Sequence, residues 1–370
     1  MKTTKALGAA AAAILLAWGA GGCESDDPDP SGGTGGGTGE PGCPADETIT
    51  DQDNPSCTPE ATDYLPRENG SADDSWDPCI SDDNEYHPFE PNISTNARVA
   101  AFEAIADLLG FGTGKAPSPA EFTEARVAYT QEEGLDSRVS RREDEHYDPA
   151  PERCRDMTAA EQAQYPDRCV GPVQIQPLLT EAFAEGMDGI DPALNAARLE
   201  AGFLWFFYVS TYKEATTCTT TAKDCDSSTG YYAGNQSRSP SYGFASYVQA
   251  RSQQTHDATW DALLGVRCWR DLDNPDGEAT DLAMRDLALG QLDRALDRGL
   301  ALILRQRLEA SPCDTAWETV QILGPVIDRA ATVVDATQAQ VLRDAIDVAS
   351  EDDLDADAAI DALDALFPCP

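Results

Sequence analysis

Ala201-Gly202-Phe203-Leu204-Trp205-Phe206-Phe207-Tyr208-Val209 is apolar around the whole circumference of a helix. A helix apolar on every side is buried on every side. The run is shorter than the roughly 20 apolar residues that a membrane span needs, and Glu200 and Lys213 flank it. It therefore predicts the central helix of a globular bundle. Asp191-Pro192 supplies the start, with proline at the first helical position, and the helix is expected to reach about Ala215.

Helical periodicity continues on both sides of this core. Upstream, Val99, Phe102, Ile105 and Leu109 share one face and Gly110 fits the stop. Ser118-Pro119-Ala120-Glu121 and Thr158-x-x-Glu161 are capping boxes. They open a helix through Phe122, Ala125 and Tyr129 to Gly134, and a short one stopped at Pro166. Pro177 to Met187 carries a stripe of Leu178, Leu179, Ala182 and Phe183. Downstream, helices are expected from Asp257 to Trp269, from Glu278 to Leu308, after Asp314 with a kink at Pro325, after Asp335, and from Asp355 to Phe367. The charged stretch Leu135–Asp156 has no assignable period. No alternation of strand length occurs. The expected fold is all-α, a disulfide-stapled bundle of roughly eight to ten helices over 93–370.

The amino-terminal part reads differently. Lys2 and Lys5 precede the apolar run Ala6–Ala20, the pattern of a secretory signal. Ala20-Gly21-Gly22-Cys23 resembles a bacterial lipobox, departing from it at Ala20, where that family usually has Leu or Val. The resemblance implies a signal peptide over 1–22 and a diacylated Cys23 as the mature amino terminus. Two acyl chains give stable anchoring to a membrane. Glu24 stands where some bacteria place an inner-membrane retention Asp, so the outer membrane or cell surface is the expected address. Residues 23–42 form a Gly-rich tether, expected to be disordered. Residues 43–92 are polar, Pro-rich and contain Cys43, Cys57 and Cys79, and are expected to wrap the bundle irregularly.

The chain has 11 cysteines, an odd number for an oxidising compartment. Lipid on Cys23 leaves an even set. Spacing favours Cys43–Cys57, Cys154–Cys169 and Cys218–Cys225. Cys268–Cys313 would span the long helical stretch, leaving Cys79–Cys369.

The net charge of −40 repels nucleic acid and anionic head groups, and attracts cations. With three histidines there is no H-E-x-x-H, and G-x-S-x-G and P-loop signatures are absent. Two acidic clusters end near a histidine, Asp82 to His87 and Glu143 to Asp148, but polar loops of this kind are common in an acidic chain. Asp271-Leu272-Asp273-Asn274-Pro275-Asp276-Gly277-Glu278 resembles a calcium loop of the EF-hand or dockerin kind. Pro275 and the late Gly277 depart from that pattern, and Asn-Pro-Asp-Gly makes a turn unaided.

After the central helix, Glu214 precedes a Cys218–Cys225 loop with Asp224 and Asp226, then Tyr231, Tyr232 and Tyr242 among Ser, Gly and Asn. Such a composition suits a recognition surface. An exported helical protein whose central helix delivers a Glu to an aromatic, Gly-rich loop resembles the imelysin-type and algal iron-assimilation proteins over Asp191–Trp269. The Gly-x-His-x-x-Glu signature of imelysins is absent, so no site residue carries over. The expected function is non-enzymatic ligand binding at the envelope, with a cation or cation complex as ligand and iron or calcium as the metal. Glu200, Glu214, Asp224 and Asp226 are the first candidates to hold it, Asp271, Asp273 and Asp276 the second, with Tyr231, Tyr232 and Tyr242 beside the ligand. The alternative is a structural or protein-interaction lipoprotein of the cell surface.

Overall fold

A computed structural model describes residues 49–67, 75–91 and 93–370. The signal, Cys23, the tether and Cys43 lie outside the described residues. Within them the protein is all-helical, with thirteen α-helices and no strand.

The central helix is α6, Pro192–Thr217. Phe203, Leu204, Phe206, Phe207, Tyr208 and Val209 are all buried. The neighbours that bury them are α5 (Gln176–Met187), α7 (Lys223–Ala233), α10 (Leu282–Glu309) and α11 (Asp314–Val334). Around this centre, α1 (Thr95–Leu109) pairs with α2 (Pro119–Thr130), and α8 (Phe244–Arg251) with α9 (Gln253–Leu272). At the carboxyl end α12 (Ala336–Ile346) pairs with α13 (Ala356–Leu366). Two one-turn helices, α3 (Asp136–Val139) and α4 (Ala159–Gln162), complete the set.

The helix count exceeds the expected ten because three elements are invisible to apolar periodicity. One is α3, inside the charged stretch, and the others are α7 and α8, inside the expected recognition loop. In α7 the residues Ser227-Ser228-Thr229-Gly230 are small rather than apolar. Smallness lets the helix press close: a Cβ on Gly230 would lie 2.1 Å from Thr95 Oγ1 of α1. The Ser228 hydroxyl donates to the Thr211 carbonyl of α6 at 2.7 Å. Helix ends shift for local reasons. Ser252 Oγ accepts the Thr255 amide and starts α9 before Asp257. Asp281 caps α10, four residues later than expected, and α2 ends at Thr130, short of Gly134.

Residues 49–67 and 75–91 run irregularly over the bundle, with a 3-10 turn at Ile80–Asp83. Tyr64 is the deepest anchor: its amide donates to Gln291 of α10 at 2.9 Å and Trp76 meets its ring edge-on. Cys57 is bonded to Cys369 and Cys79 to Cys268. These replace the expected Cys43–Cys57, Cys79–Cys369 and Cys268–Cys313 pairs; Cys313 is also disulfide-bonded. Spacing along the chain finds loops closed locally, as in Cys154–Cys169 and Cys218–Cys225. It carries no information on which distant half-cystines the packing brings together.

Candidate functional site: an arginine-lined cleft

Of the carboxylates nominated from sequence, Glu214 and Asp224 line one cleft, and the others, except the exposed Asp276, are held apart by partners of their own. Glu200 is 2 % exposed and accepts from Tyr247 Oη at 2.6 Å and Arg307 Nη2 at 3.0 Å. Asp226 accepts the Tyr86 hydroxyl and the amides of Phe89 and Glu90, at 2.8 to 3.1 Å, and so ties residues 86–90 to α7. Asp273 accepts the amides of Thr280 and Asp281. Asp271 accepts the Ile80 amide and Asp276 stands exposed. The carbonyls of Asp273, Asn274 and Gly277 all receive the Arg270 guanidinium. The Arg270 guanidinium thus gathers the carbonyls of this turn. Among the described residues no group of three or more His, Cys, Asp or Glu is placed to hold a metal ion.

The tyrosines are equally reassigned. Tyr231 and Tyr232 are buried on α7, Tyr231 against Phe206 and Tyr232 with its hydroxyl 3.1 Å from His256 Nδ1. Tyr242 alone of the three is exposed. Large aromatic rings recover more free energy inside than at a surface, and the small residues of α7 leave room for them.

Glu214 leads to the site. It sits near the carboxyl end of α6, 8 % exposed. Its partner is a basic side chain: Arg142 Nη1 donates to Glu214 Oε1 at 2.8 Å. Lys213 also reaches Oε1, at 3.2 Å. The two Cβ directions diverge along the helix, but the long lysine stem folds back. Burial pushes the Glu214 carboxyl up, yet the charges of Arg142 and Lys213 outweigh it and hold the group below its usual range. The Arg142 guanidinium lies 5.2 Å from the Phe206 ring centre and 5.0 Å from that of Tyr231.

This pair forms the floor of a cleft of about 540 Å³. One wall is the segment between α3 and the π-type turn Gly171–Ile175; the other is the end of α6 and the Thr-rich connection to α7. All six arginines between Leu135 and Gly171 line it: Arg138, Arg141, Arg142, Arg153, Arg155 and Arg168. Two local disulfides frame it. Cys154 stands between Arg153 and Arg155, and Cys169 follows Arg168, so the Cys154–Cys169 bond gathers three of the arginines. Cys218–Cys225 closes the connection that contributes Thr220, Thr221 and Asp224.

The arginines divide by what they touch. Arg168 is a tie: it grips Glu145 through two bonds of 2.7 and 2.8 Å, Glu143 at 3.0 Å, and the Asp144 and Tyr147 carbonyls. Arg142 is held by Glu214. Among the described residues, no carboxylate pairs with Arg138, Arg141 or Arg153. Arg155 meets only Asp156, at 3.7 Å and with both side chains about half exposed. Burial, then the like charges of Arg138, Arg142 and Arg155, pull the Arg141 guanidinium below its ordinary range. Asp224 shares the lining, its carboxyl raised by burial and by Glu214.

The loop bearing Arg141 and Arg142 is anchored behind the cleft by His146. Its Nδ1 lies 2.6 Å from Asp144 and its Nε2 2.9 Å from Asp293 of α10, and its ring stacks on Tyr212 at 3.9 Å. Burial draws the imidazole down, but the two carboxylates overcome it and hold it up at about 9.

Comparison with protein-family models, curated proteins and solved structures gives no match for this chain. The site therefore rests on its own geometry. Sequence reasoning passed over it, although a signal was present: six arginines crowded into the one stretch without assignable period, in a chain that is otherwise strongly acidic.

Proposed function

We propose that the chain is an envelope-anchored, non-enzymatic binding protein whose ligand is an anion held in the arginine-lined cleft. The observation that carries the reading is the group Arg138, Arg141 and Arg153, without carboxylate partners among the described residues, on the lining of a cleft of about 540 Å³. Guanidinium groups that repel one another across a cavity are stabilised by a negative ligand, and their planar forks suit oxyanions. The surrounding charge of −40 makes the contrast sharper. An anion is repelled by most of the surface, so its recognition depends on short-range contacts in the cleft rather than on long-range steering. A cation reading is weaker, since each buried carboxylate nominated for it already holds a proton donor of the chain.

The lipobox-like Ala20-Gly21-Gly22-Cys23 supports the envelope address. Among the described residues no helix is long and apolar enough to cross a membrane. Anchoring through Cys23 is tested by Cys23→Ser, which moves the protein from the membrane to the soluble fraction; retention in the membrane refutes it.

The anion reading is tested by melting the full chain in phosphate, sulfate and citrate against chloride at equal ionic strength. A ligand at about a hundred times its Kd stabilises by about 2.7 kcal/mol through mass action. Arg141→Gln should reduce the shift. A melting temperature unmoved by every anion refutes the proposal. The interaction alternative has a small foothold in Val333 and Val334, which are 78 % and 56 % exposed at the end of α11.

A further inference from the structure

Resting on the anion reading, we infer that the ligand is a compact oligophosphate, a molecule carrying two or more phosphate groups within a few ångströms of each other. After Arg142 and Arg168 are satisfied by Glu214, Glu143 and Glu145, Arg138, Arg141 and Arg153 remain, together with Arg155, whose Asp156 is 3.7 Å away and about half exposed. Each guanidinium offers five donors in a fixed fork. Four such groups exceed the three oxygen–oxygen edges that the terminal oxygens of one phosphate monoester present to bidentate forks. Their positive charge likewise exceeds the roughly −1.5 to −2 of one phosphate monoester at neutral pH. Two or three linked phosphates match both numbers.

The shape of the charge distribution limits the ligand's length. A nucleic acid or long polyanion would leave the cleft and run over a surface that gives the chain its net −40, where each further phosphate meets repulsion. A short cluster stays within about 540 Å³. The wall opposite the arginines is uncharged at Thr217, Thr220 and Thr221, with the Thr217 and Thr220 hydroxyls donating to the Lys213 and Thr217 carbonyls. Asp224 is the lining acid without a guanidinium or ammonium on it among the described residues, and it sets the edge beyond which a phosphate is disfavoured.

The test is calorimetric titration of the full chain with tripolyphosphate, orthophosphate and citrate at fixed ionic strength. Tripolyphosphate is expected to bind at least about tenfold more tightly than orthophosphate or citrate, the worth of one additional charge-assisted hydrogen bond. Arg141→Gln and Arg153→Gln, which break no ion pair of the fold, should each cost about tenfold for tripolyphosphate and much less for orthophosphate. Micelles carrying a lipid with a diphosphate headgroup separate the two sources of this chemistry. Competition with tripolyphosphate admits a headgroup, binding of the free anion alone makes the ligand soluble, and either supports the class. Equal affinity for orthophosphate, or for citrate, overturns the oligophosphate inference and leaves the anion cleft standing. Absence of binding by all three overturns both. Tighter binding of long nucleic acid than of tripolyphosphate also overturns it.

Discussion

His146 and Asp293 lie 147 residues apart in sequence and 2.9 Å apart in space, joining the loop that carries Arg141 and Arg142 to α10. Behind them, Arg329 stands 3.6 Å from Asp293 and 3.9 Å from Asp297, and Tyr208 donates to Asp297 at 2.6 Å. The imidazolium is thus a cation shared by Asp144 and Asp293 inside the protein, and it locks the back of the cleft.

A pH dependence follows from that bond. The imidazole titrates near 6.5 when unfolded and at about 9 in the fold. The folded state therefore holds this proton more tightly. Its stabilisation is complete below about pH 6.5 and disappears as pH rises through about 9, a change of about 3 kcal/mol. Chemical denaturation from pH 6 to 10 should show this fall, and His146→Gln should be less stable at pH 6 with a flatter profile. An unchanged slope in the variant would assign the dependence elsewhere. Asp297 adds to the same direction at lower pH, since burial and Asp293 raise its carboxyl.

The Arg142–Glu214 pair is expected to be structural. Glu214→Gln leaves a buried guanidinium without its counter-charge, a loss of about 3 kcal/mol, read as a lower denaturation midpoint. Calcium, iron and copper salts should leave the wild-type melting curve where it is. A metal-induced rise that Glu214→Gln abolishes would restore the cation reading.

Removal of Cys154–Cys169 by paired substitution with Ala should act on two scales. The loop of sequence separation 15 contributes about 3 kcal/mol to stability. Anion affinity should fall further than stability predicts, because Arg153, Arg155 and Arg168 lose their common frame. Calorimetry under conditions where the variant is fully folded separates the two, and unchanged affinity would detach these arginines from the site.

Gly171 is where the two strands of the arginine-bearing wall touch. Its amide donates to the Arg142 carbonyl at 3.0 Å, and an added Cβ would sit 2.1 Å from the Val139 carbonyl oxygen. Backbone on both sides has no rotamer with which to yield. Gly171→Ala should cost about 1–3 kcal/mol and weaken anion binding by displacing Arg142. A variant as stable and as competent as wild type would show that the wall gives way.

The legible part of the sequence was the part governed by apolar periodicity and capping. Phe203 to Val209 named the central helix, Ser118 and Glu121 cap α2 as read, and Asp335 and Asp355 start α12 and α13. What could not be read was set by contacts between distant residues. Tyr231 and Tyr232 looked like a surface because their neighbours are Ser, Thr and Gly; those neighbours are small so that α7 can approach α1 and α6. Glu214 stood out in the sequence as a carboxylate near the end of the central helix. The partner, Arg142, came from 72 residues upstream, in the one segment whose pattern suggested nothing. Charges that meet in tertiary structure leave no period in the chain.

The Cys57–Cys369 bond gives the chain a different topology from the one its ends suggest. From Cys57 onward the chain is a ring closed by that disulfide between α-carbons 5.5 Å apart and reinforced by Asn54 Nδ2, which donates to the Pro368 carbonyl at 3.0 Å. A single proteolytic nick anywhere in that ring opens it without releasing a fragment. For the same reason the ring has no obligatory starting point. A peptide joining the two ends, with new termini at the exposed corner of Val333 and Val334, should yield a circularly permuted bundle with the same cleft.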